Sequence, residues 1–333
     1  MNYKSVPIPT SFASCSLLSP SSGDLETKMR AIKKAGFDGM ELSMPDLLSY
    51  GANLEQRKLV EDETEAVLRT ATRVGEIAGD LGLKIVMLQP FSRFEGWPRD
   101  SAERRAAFDR AEGWFKIMAA VGTDMLQVGS SDAEGISASF DDHAADLAEL
   151  ADLAAVGGFR VAYENWCWGT HASTWRDVWQ IVNKADRRNL GLCLDTFQSA
   201  GGELGDPTTE SGYIESVDRQ ALLARWKASL AELSKTVPSS KIFILQISDA
   251  YLMKQPIEAK DMRPRCAWSH DFRPLPCAGG YLPVGEFLEA VLDTGFRSWL
   301  SVEVFDSTEA GDHNAEEYTE RAMISLKKVV DSC

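Results

Sequence analysis

RVAYEN, residues 160–165, is a short β-prone run that reaches a glutamate, Glu164. Three later runs have the same form and reach Asp195, Gln246 and Glu303: LGLCLDT at 190–196, KIFILQIS at 241–248 and WLSVEVF at 299–305. Each run follows a helical pattern, so each is predicted to be a buried parallel strand whose last residue emerges at the carboxyl edge of the sheet. Three carboxylates and one amide would then meet at one point.

Strand and helix patterns alternate along all 333 residues. The predicted strands are 10–17, 37–43, 83–90, 124–129, 159–164, 190–195, 241–247 and 299–304. The predicted helices are 23–34, 61–81, 102–121, 141–155, 173–184, 218–235, 284–294 and 314–330. Eight strands with helical crossovers in one series predict an α/β fold, a (β/α)8 TIM barrel rather than an open doubly wound sheet. No linker divides the chain, so 1–333 is expected to be a single domain.

Two long segments interrupt the alternation, 201–217 and 250–283. Both follow strands that carry a proposed metal ligand, and barrel active sites are built from such strand-to-helix loops. The second is about 34 residues long, well beyond the usual connection length. We expect it to cover the substrate.

Composition limits the classes of partner. Apolar residues make up 44% and charged residues 26% of the chain, and the net charge is −15. That charge repels nucleic acid and anionic membranes, so neither is an expected partner, although a local cation could still bind a small anion. The six scattered cysteines, the lack of a signal peptide and the lack of a long apolar run predict a cytoplasmic protein. A homo-oligomer is compatible with the sequence.

A single carboxylate at a strand end has a structural explanation, because it could cap the next helix or pair with a surface cation. Four oxygen-bearing side chains on four consecutive strands are a more specific signal, since burying three carboxylates together is prohibitive without a cation. The pattern predicts a site for a divalent metal cation formed by Glu164, Asp195, Gln246 and Glu303. Such ligands suit Mg²⁺ or Mn²⁺, with Co²⁺ or Zn²⁺ as alternatives.

Five strings resemble the 3-dehydroshikimate dehydratases of fungal quinate catabolism, in the xylose-isomerase-like barrel superfamily. They are LQPFSRFEGW (88–97), YENWCWGTHASTW (163–175), NLGLCLDTFQSAG (189–201), AWSHDFRPLPCAGGYLPV (267–284) and GFRSWLSVEVF (295–305). The resemblance runs from the second strand to the eighth, in the same order. It implies the same four metal ligands.

The resemblance also implies the reaction, the dehydration of 3-dehydroshikimate to protocatechuate by a hydro-lyase. A base would remove the proton next to the ketone, which the cation polarises, and the β-hydroxyl group would leave. The substrate would be a small anionic cyclic molecule. The alternative is a sugar or ketose isomerase or epimerase, because a metal-stabilised enediolate serves both reactions.

Four residues bear on the proton transfer. Gln198 stands three residues after Asp195, where similar bacterial proteins carry a histidine, and an amide cannot abstract a proton. His171 occupies another position at which the bacterial proteins have histidine, so it is a candidate acid or base; it could instead be a loop histidine bonded to a carboxylate. Glu41 and Glu95 are the remaining candidates, unless the substrate differs.

Substrate contacts are also implied. Ser269 and Arg273 match family positions that contact the substrate, and the arginine fork suits a carboxylate. Arg93 is a further candidate, with a surface ion pair as its alternative. Gln198 and Trp168 are expected to contact the substrate from the loops around the metal.

Other aromatic and histidine residues have simpler interpretations. Trp175 and Trp179 are spaced four apart on a predicted helix, which indicates packing onto the barrel. His143 and His313 lie in charged stretches and are predicted to be exposed to solvent. His270 lies near the predicted pocket but is not assigned a catalytic role.

Overall fold

The structure is a computed structural model that describes residues 1–3, 6–18, 23–309 and 314–333. Its centre is a closed barrel of eight strands, each paired in parallel with the next in chain order. The last strand closes on the first. The predicted (β/α)8 barrel is confirmed. The strands are β1 Thr10–Ala13, β2 Gly39–Ser43, β3 Lys84–Phe91, β4 Met125–Gly129, β5 Arg160–Glu164, β6 Leu190–Asp195, β7 Ile242–Ile247 and β8 Trp299–Val302.

Helices surround the barrel, and most strand-to-strand connections contain one or two of them. Those in the described part of the chain are α1 Leu25–Lys34, α2 Met44–Glu55, α3 Thr64–Leu81, α4 Ala102–Val121, α5 Phe140–Val156, α6 Trp175–Ala185, α7 Thr196–Glu203, α8 Arg219–Thr236, α9 Pro264–Asp271, α10 Val284–Asp293 and α11 Ala315–Asp331. The prediction missed α2, α7 and α9, which follow β2, β6 and β7. The last two lie partly or wholly inside the predicted long loops.

Helix α7 begins immediately after β6 because a strand residue is its N-cap. The Asp195 side chain accepts a hydrogen bond from the backbone N–H of Gln198 at 2.9 Å, which satisfies a donor that the first helical turn leaves free. Helix α9 starts with Pro264 in its first turn, where a missing N–H costs nothing. Both helices are only eight residues long. They bring their side chains directly over the barrel mouth.

Several predicted boundaries were wrong. Strand β1 ends at Ala13 rather than residue 17, and a 3₁₀ helix, Ser14–Ser16, follows it. Strand β8 ends at Val302, so Glu303 lies in the loop just beyond it. A short antiparallel ribbon pairs Phe272–Arg273 with Phe305–Asp306. This ribbon ties the segment after β7 to the segment after β8, next to Glu303.

The buried residues outside the barrel fix the helices onto it. Trp175 is fully buried, as predicted, and its indole N–H donates to Ser229 Oγ at 2.8 Å, which joins α6 to α8.

The prediction that His143 is solvent-exposed was wrong, because its ring is buried and its Nε2 lies 2.6 Å from the Ser137 carbonyl oxygen. His313 lies outside the described residues. All six cysteines are free. Within the described ranges, every helix is too short or too polar to cross a membrane.

Candidate active site

Three carboxylates meet at the carboxyl end of the barrel. Glu164 ends β5, Asp195 ends β6 and Glu303 follows β8. One oxygen of each lies within 4.8 Å of the others, and all three side chains are buried. The structure therefore brings together three of the four proposed ligands.

Gln246, the fourth proposed ligand, lies on β7 beside Asp195. Its amide nitrogen donates to Glu41 Oε2 at 2.9 Å, and its amide oxygen accepts from the Cys193 thiol at 3.2 Å. The side chain is fully buried between these two partners. A role in binding a metal stays a prediction for Gln246.

Arg273 contributes the positive charge next to the carboxylates. Its Nη2 donates to Asp195 and forms an ion pair with Glu303 Oε2 at 3.0 Å, and its Nε donates to Ser248 Oγ at 2.6 Å. The guanidinium side chain is only 1% exposed. One cation faces three carboxylates, so two negative charges are uncompensated when all three acids are ionised.

Burial and the excess of negative charge shift the pKa values of these carboxyl groups. Burial raises the pKa of Asp195 to about 6, although the Arg273 guanidinium opposes the shift. Burial, together with the charges of Glu303 and Asp195, also holds the pKa of Glu164 well above its usual range. Glu164 Oε1 is buried and has no hydrogen-bond partner among the described residues. A buried oxygen without a partner and an excess of two negative charges fit a divalent cation.

Two amides that the sequence analysis missed support the carboxylates. Gln89 on β3 donates to Glu303 Oε1 at 2.7 Å, and Gln127 on β4 donates to Glu164 Oε2. Gln127 is itself oriented by the backbone N–H of Phe91, which donates to its oxygen at 3.3 Å. Groups of this kind orient metal ligands. Their signal was present in the sequence, since LKIVMLQP and DMLQVG also place an oxygen-bearing side chain near a strand end.

A cavity of about 430 Å³ opens above the carboxylates. Helix α9, the loops after β3, β4 and β5, the start of α7 and the segment after β8 surround it. Its wall combines cationic, amide, acidic and aromatic groups. The lining residues are Gln89, Pro90, Ser92, Arg93, Arg110, Gln127, Asp132, Glu164, Trp166, Trp168, Gln198, Cys266, Ser269, His270, Arg273, Glu303 and Phe305.

The model of the family described as xylose isomerase-like TIM barrel matches residues 29–329. The chain belongs to this family. Its membership agrees with the barrel and with the ring of carboxylates at the mouth.

The chain is also similar to individual dehydratases over most of its length. The 3-dehydroshikimate dehydratase of Neurospora crassa is 31% identical over 324 residues, which cover 92% of this chain and 89% of that protein. The 3-dehydroshikimate dehydratase of Pseudomonas aeruginosa is 37% identical over 289 residues, but these cover 86% of this chain and only 37% of the bacterial protein. The resemblance to the fungal dehydratases is thus confirmed.

A solved structure shares the architecture over nearly the whole chain. It is described as a xylose isomerase-like TIM barrel/4-hydroxyphenylpyruvate dioxygenase fusion protein and superimposes with a TM-score of 0.75 at 30% identity. The match covers 97% of this chain and 43% of the fusion protein. Like the bacterial relative, it is much longer than the present chain.

The predicted substrate-contact residues of this xylose isomerase-like barrel all lie at the cavity. Ser269 and Trp168 are buried in its wall, and the oxygen of Gln198 accepts from the backbone N–H of Cys167 at 3.0 Å. Arg93 lies at the rim, where its side chain is 62% exposed and pairs with Asp132 at 2.8 Å. The surface ion pair considered for Arg93 is therefore present.

Arg110 is a cavity cation that the sequence analysis missed. Its guanidinium lies 4.2 Å from the centre of the Phe91 ring and donates to the Ser92 carbonyl. It has no ion pair with any described carboxylate, and its Nε is buried without a hydrogen-bond partner. Sequence alone could not identify Arg110 as a cavity residue, because it lies in the middle of α4 and nothing in the local sequence distinguishes it from other helical arginines.

The three candidate bases lie in different surroundings, and the cavity wall in the described structure includes none of them. Glu41 is fully buried beneath the cavity, and burial, reinforced by Glu303, raises its pKa to about 8. Glu95 accepts from Tyr163 OH at 2.7 Å and from the backbone N–H of Ser131 at 2.6 Å. Because neighbouring residues of a strand point to opposite faces, this contact with Tyr163 places Glu95 across β5 from Glu164.

His171 is half-buried in the loop after β5, and its ring centre lies 6.2 Å from that of His143. His143 packs beside the loop residues Gly96 and Ser137 rather than beside the carboxylates. The structure thus places neither Glu95 nor His171 against the cavity. Their catalytic roles remain predictions without geometric support.

Proposed function

We propose that this protein is a metal-dependent hydro-lyase that converts 3-dehydroshikimate to protocatechuate. The observation that carries the proposal is the buried cluster of Glu164, Asp195 and Glu303, with a single guanidinium, under an aromatic and cationic cavity. The names of the similar fungal and bacterial proteins support the choice of substrate. The substrate and the metal dependence are both part of the proposal.

The four proposed ligands, Glu164, Asp195, Gln246 and Glu303, would hold the cation. When bound, a divalent cation supplies Lewis acidity to the ketone and balances the buried negative charge. The chain itself keeps the carboxylates in place through hydrogen bonds from amides and from Arg273. These partners reduce the freedom of the ligands before substrate arrives.

The aromatic wall suits a flat six-membered ring. Trp166 and Trp168 stack with ring centres 5.1 Å apart and planes 21° apart, and both line the cavity beside Glu164. Phe305 lies in the segment after β8 and also lines the cavity. These apolar faces would shield the reacting carbons from water, while the three carboxylates lie at the base.

The proposed substrate also carries a carboxylate, so the cavity must provide a cation to bind it. Arg273 is bound to two proposed metal ligands, and Arg93 is paired with Asp132. Arg110 is the cavity arginine without an ion pair in the described structure, so we propose that it receives the carboxylate together with the Ser269 hydroxyl. A charge-assisted hydrogen bond of this kind would favour an acid over a neutral sugar.

The experiment is a spectrophotometric assay of protocatechuate formation from 3-dehydroshikimate. The purified protein is stripped with EDTA and reloaded with Mg²⁺, Mn²⁺, Co²⁺ or Zn²⁺ one at a time, and metal binding is measured separately by calorimetry. Glu303→Gln is the test variant. Glu289→Gln, which changes an exposed glutamate in α10, is the matched control.

Turnover that depends on metal and is lost in Glu303→Gln but not in Glu289→Gln is the expected result. A flat trace from a folded protein that binds metal would overturn the dehydratase proposal. Ketose isomerisation and epimerisation assays with the same preparation would then test the alternative that the shared ligands allow.

A further inference from the structure

The proposed reaction needs a base that touches the cavity, and the ionisable groups along the wall can be examined in turn. Glu164 and Glu303 belong to the proposed metal cluster, and Asp132 pairs with Arg93. The Cys266 thiol is a poor base, because burial raises its pKa to about 11 and keeps the thiol protonated. Among the lining residues in the described ranges, His270 is the remaining group that can accept a proton in its neutral form.

One ring nitrogen of His270 is already engaged. Nδ1 lies 2.7 Å from the carbonyl oxygen of Cys266, four residues earlier in α9, and 3.7 Å from the Cys266 thiol. A carbonyl oxygen only accepts, so Nδ1 carries the hydrogen in this contact. The neutral ring then has its lone pair on Nε2, which is the tautomer that a base needs.

Aromatic neighbours hold the ring at the cavity. The His270 ring centre lies 5.7 Å from that of Trp168 and 5.8 Å from that of Phe305, and both residues also line the cavity. The imidazole therefore lies between two of the apolar surfaces that would enclose the substrate ring.

Two arginines fix the helix that carries His270. Arg263 donates to the Trp168 carbonyl at 2.6 Å, in the loop after β5, and Arg265 donates to the Gly205 carbonyl at 2.6 Å, just after α7. Helix α9 is thus bound to both neighbouring loops at its first turn. The position of His270 over the mouth is set by these contacts.

We infer that His270 is the catalytic base of this site, an inference that rests on the proposed function. Nε2 takes the proton from the carbon next to the ketone. The electron pair of that C–H bond becomes the new C=C bond as the bond to the β-hydroxyl breaks, and the imidazolium returns the proton to the departing oxygen, which leaves as water. Loss of a second ring proton and protonation of the ketone oxygen complete the aromatic ring.

The test compares His270→Asn with Glu289→Gln. An asparagine at 270 can keep a donor near the Cys266 carbonyl but cannot act as a base, whereas Glu289 is exposed on α10, outside the cavity wall. We expect kcat of His270→Asn to fall by roughly 10²–10⁴-fold, the range for general bases, with KM changed less than about threefold. We also expect added imidazole to restore part of the rate, and Glu289→Gln to behave like the wild type.

Protocatechuate binding, followed by tryptophan fluorescence, separates a base from a structural residue. Unchanged binding in His270→Asn supports the inference; binding lost in proportion to kcat would overturn it, as would a kcat close to that of the wild type. Turnover by the wild type is measured first. If the wild type is inactive, the dehydratase proposal fails, whereas an active wild type with an equally active His270→Asn variant overturns only the role of His270.

Discussion

Gly129 at the end of β4 lies directly against the indole ring of Trp166, because a β-carbon on Gly129 would overlap ring carbons Cε2 and Cζ2. Gly129 also pairs with Glu164 on the next strand. The indole N–H of Trp166 donates to Glu164 Oε2 at 3.3 Å. The missing side chain at Gly129 therefore allows one aromatic ring to contact a proposed metal ligand and to stack on Trp168.

Gly129→Ala is expected to displace Trp166 and to lower kcat/KM for the proposed dehydration by roughly tenfold to a hundredfold, since small misplacements at a reacting centre are costly. Overpacking should also destabilise the fold by about 1–3 kcal/mol. Urea unfolding and near-UV circular dichroism measure the second effect. Gly113→Ala in α4 is the control, because an added β-carbon there would meet nothing within 4 Å outside its own helix. Equal spectra and activities in the two variants would contradict the role of Gly129.

Gln89→Met is expected to weaken metal binding. The variant removes the donor that contacts Glu303 at 2.7 Å and Glu41 at 3.3 Å but keeps a similar side-chain volume. Loss of such a supporting hydrogen bond reduces metal affinity by about 10–100-fold. Calorimetric titration with Mn²⁺ measures the change directly, and Gln180→Met, on the exposed face of α6, is the control. A dissociation constant within twofold of the wild type would show that Gln89 does not support the site.

Arg110→Gln is expected to reduce discrimination between protocatechuate and catechol, which lacks the carboxylate. Protocatechuate should bind roughly 10–100-fold more weakly, the effect of losing a charge-assisted hydrogen bond, while catechol binding changes little. Arg93→Gln should change protocatechuate binding by less than about threefold, because its guanidinium is 62% exposed and paired with Asp132. Tryptophan fluorescence titrations give the affinities of the wild type and both variants for each ligand. An equal loss for both ligands in Arg110→Gln would indicate a structural role through the Ser92 carbonyl instead.

The sequence predicted the strands and the carboxylate cluster because these depend on local patterns. A β-prone run such as RVAYEN places Glu164 at a strand end whatever lies elsewhere, and parallel strands bring such ends to one edge. The same logic, applied to LKIVMLQP and DMLQVG, would have found Gln89 and Gln127. Helices α7 and α9 were missed because eight residues contain too few turns to show a hydrophobic period.

Contacts between segments that are far apart in the chain could not be predicted from local sequence patterns. Arg273 reaches Asp195 over a separation of 78 residues, because the ribbon that it forms with Phe305 folds the segment after β7 back over the mouth. Glu95 was considered as a candidate base because Gln198 cannot abstract a proton. The loop instead turns it towards Tyr163, on the other face of β5 from Glu164. No local pattern distinguishes these outcomes.

Asp249 connects the two ends of the long segment after β7, and its ionisation should make stability depend on pH. Its Oδ1 accepts from the backbone N–H groups of Ala250 at 2.7 Å and Leu282 at 3.0 Å. Burial raises the pKa of this carboxyl to about 6. The folded protein then binds this proton more tightly than the unfolded chain, whose aspartates titrate near about 3.9.

The contribution of Asp249 to stability is therefore greatest below about pH 4 and falls as the pH rises towards 6, by at most about 3 kcal/mol. Asp249→Asn keeps an oxygen acceptor and removes the ionisation. We expect the variant to gain stability relative to the wild type between pH 4 and pH 7, as measured by urea unfolding of both proteins in EDTA. The exposed Asp293→Asn variant, at the end of α10, should show a much smaller change. A difference between wild type and Asp249→Asn that stays constant across this range would mean that folding does not raise the pKa of Asp249.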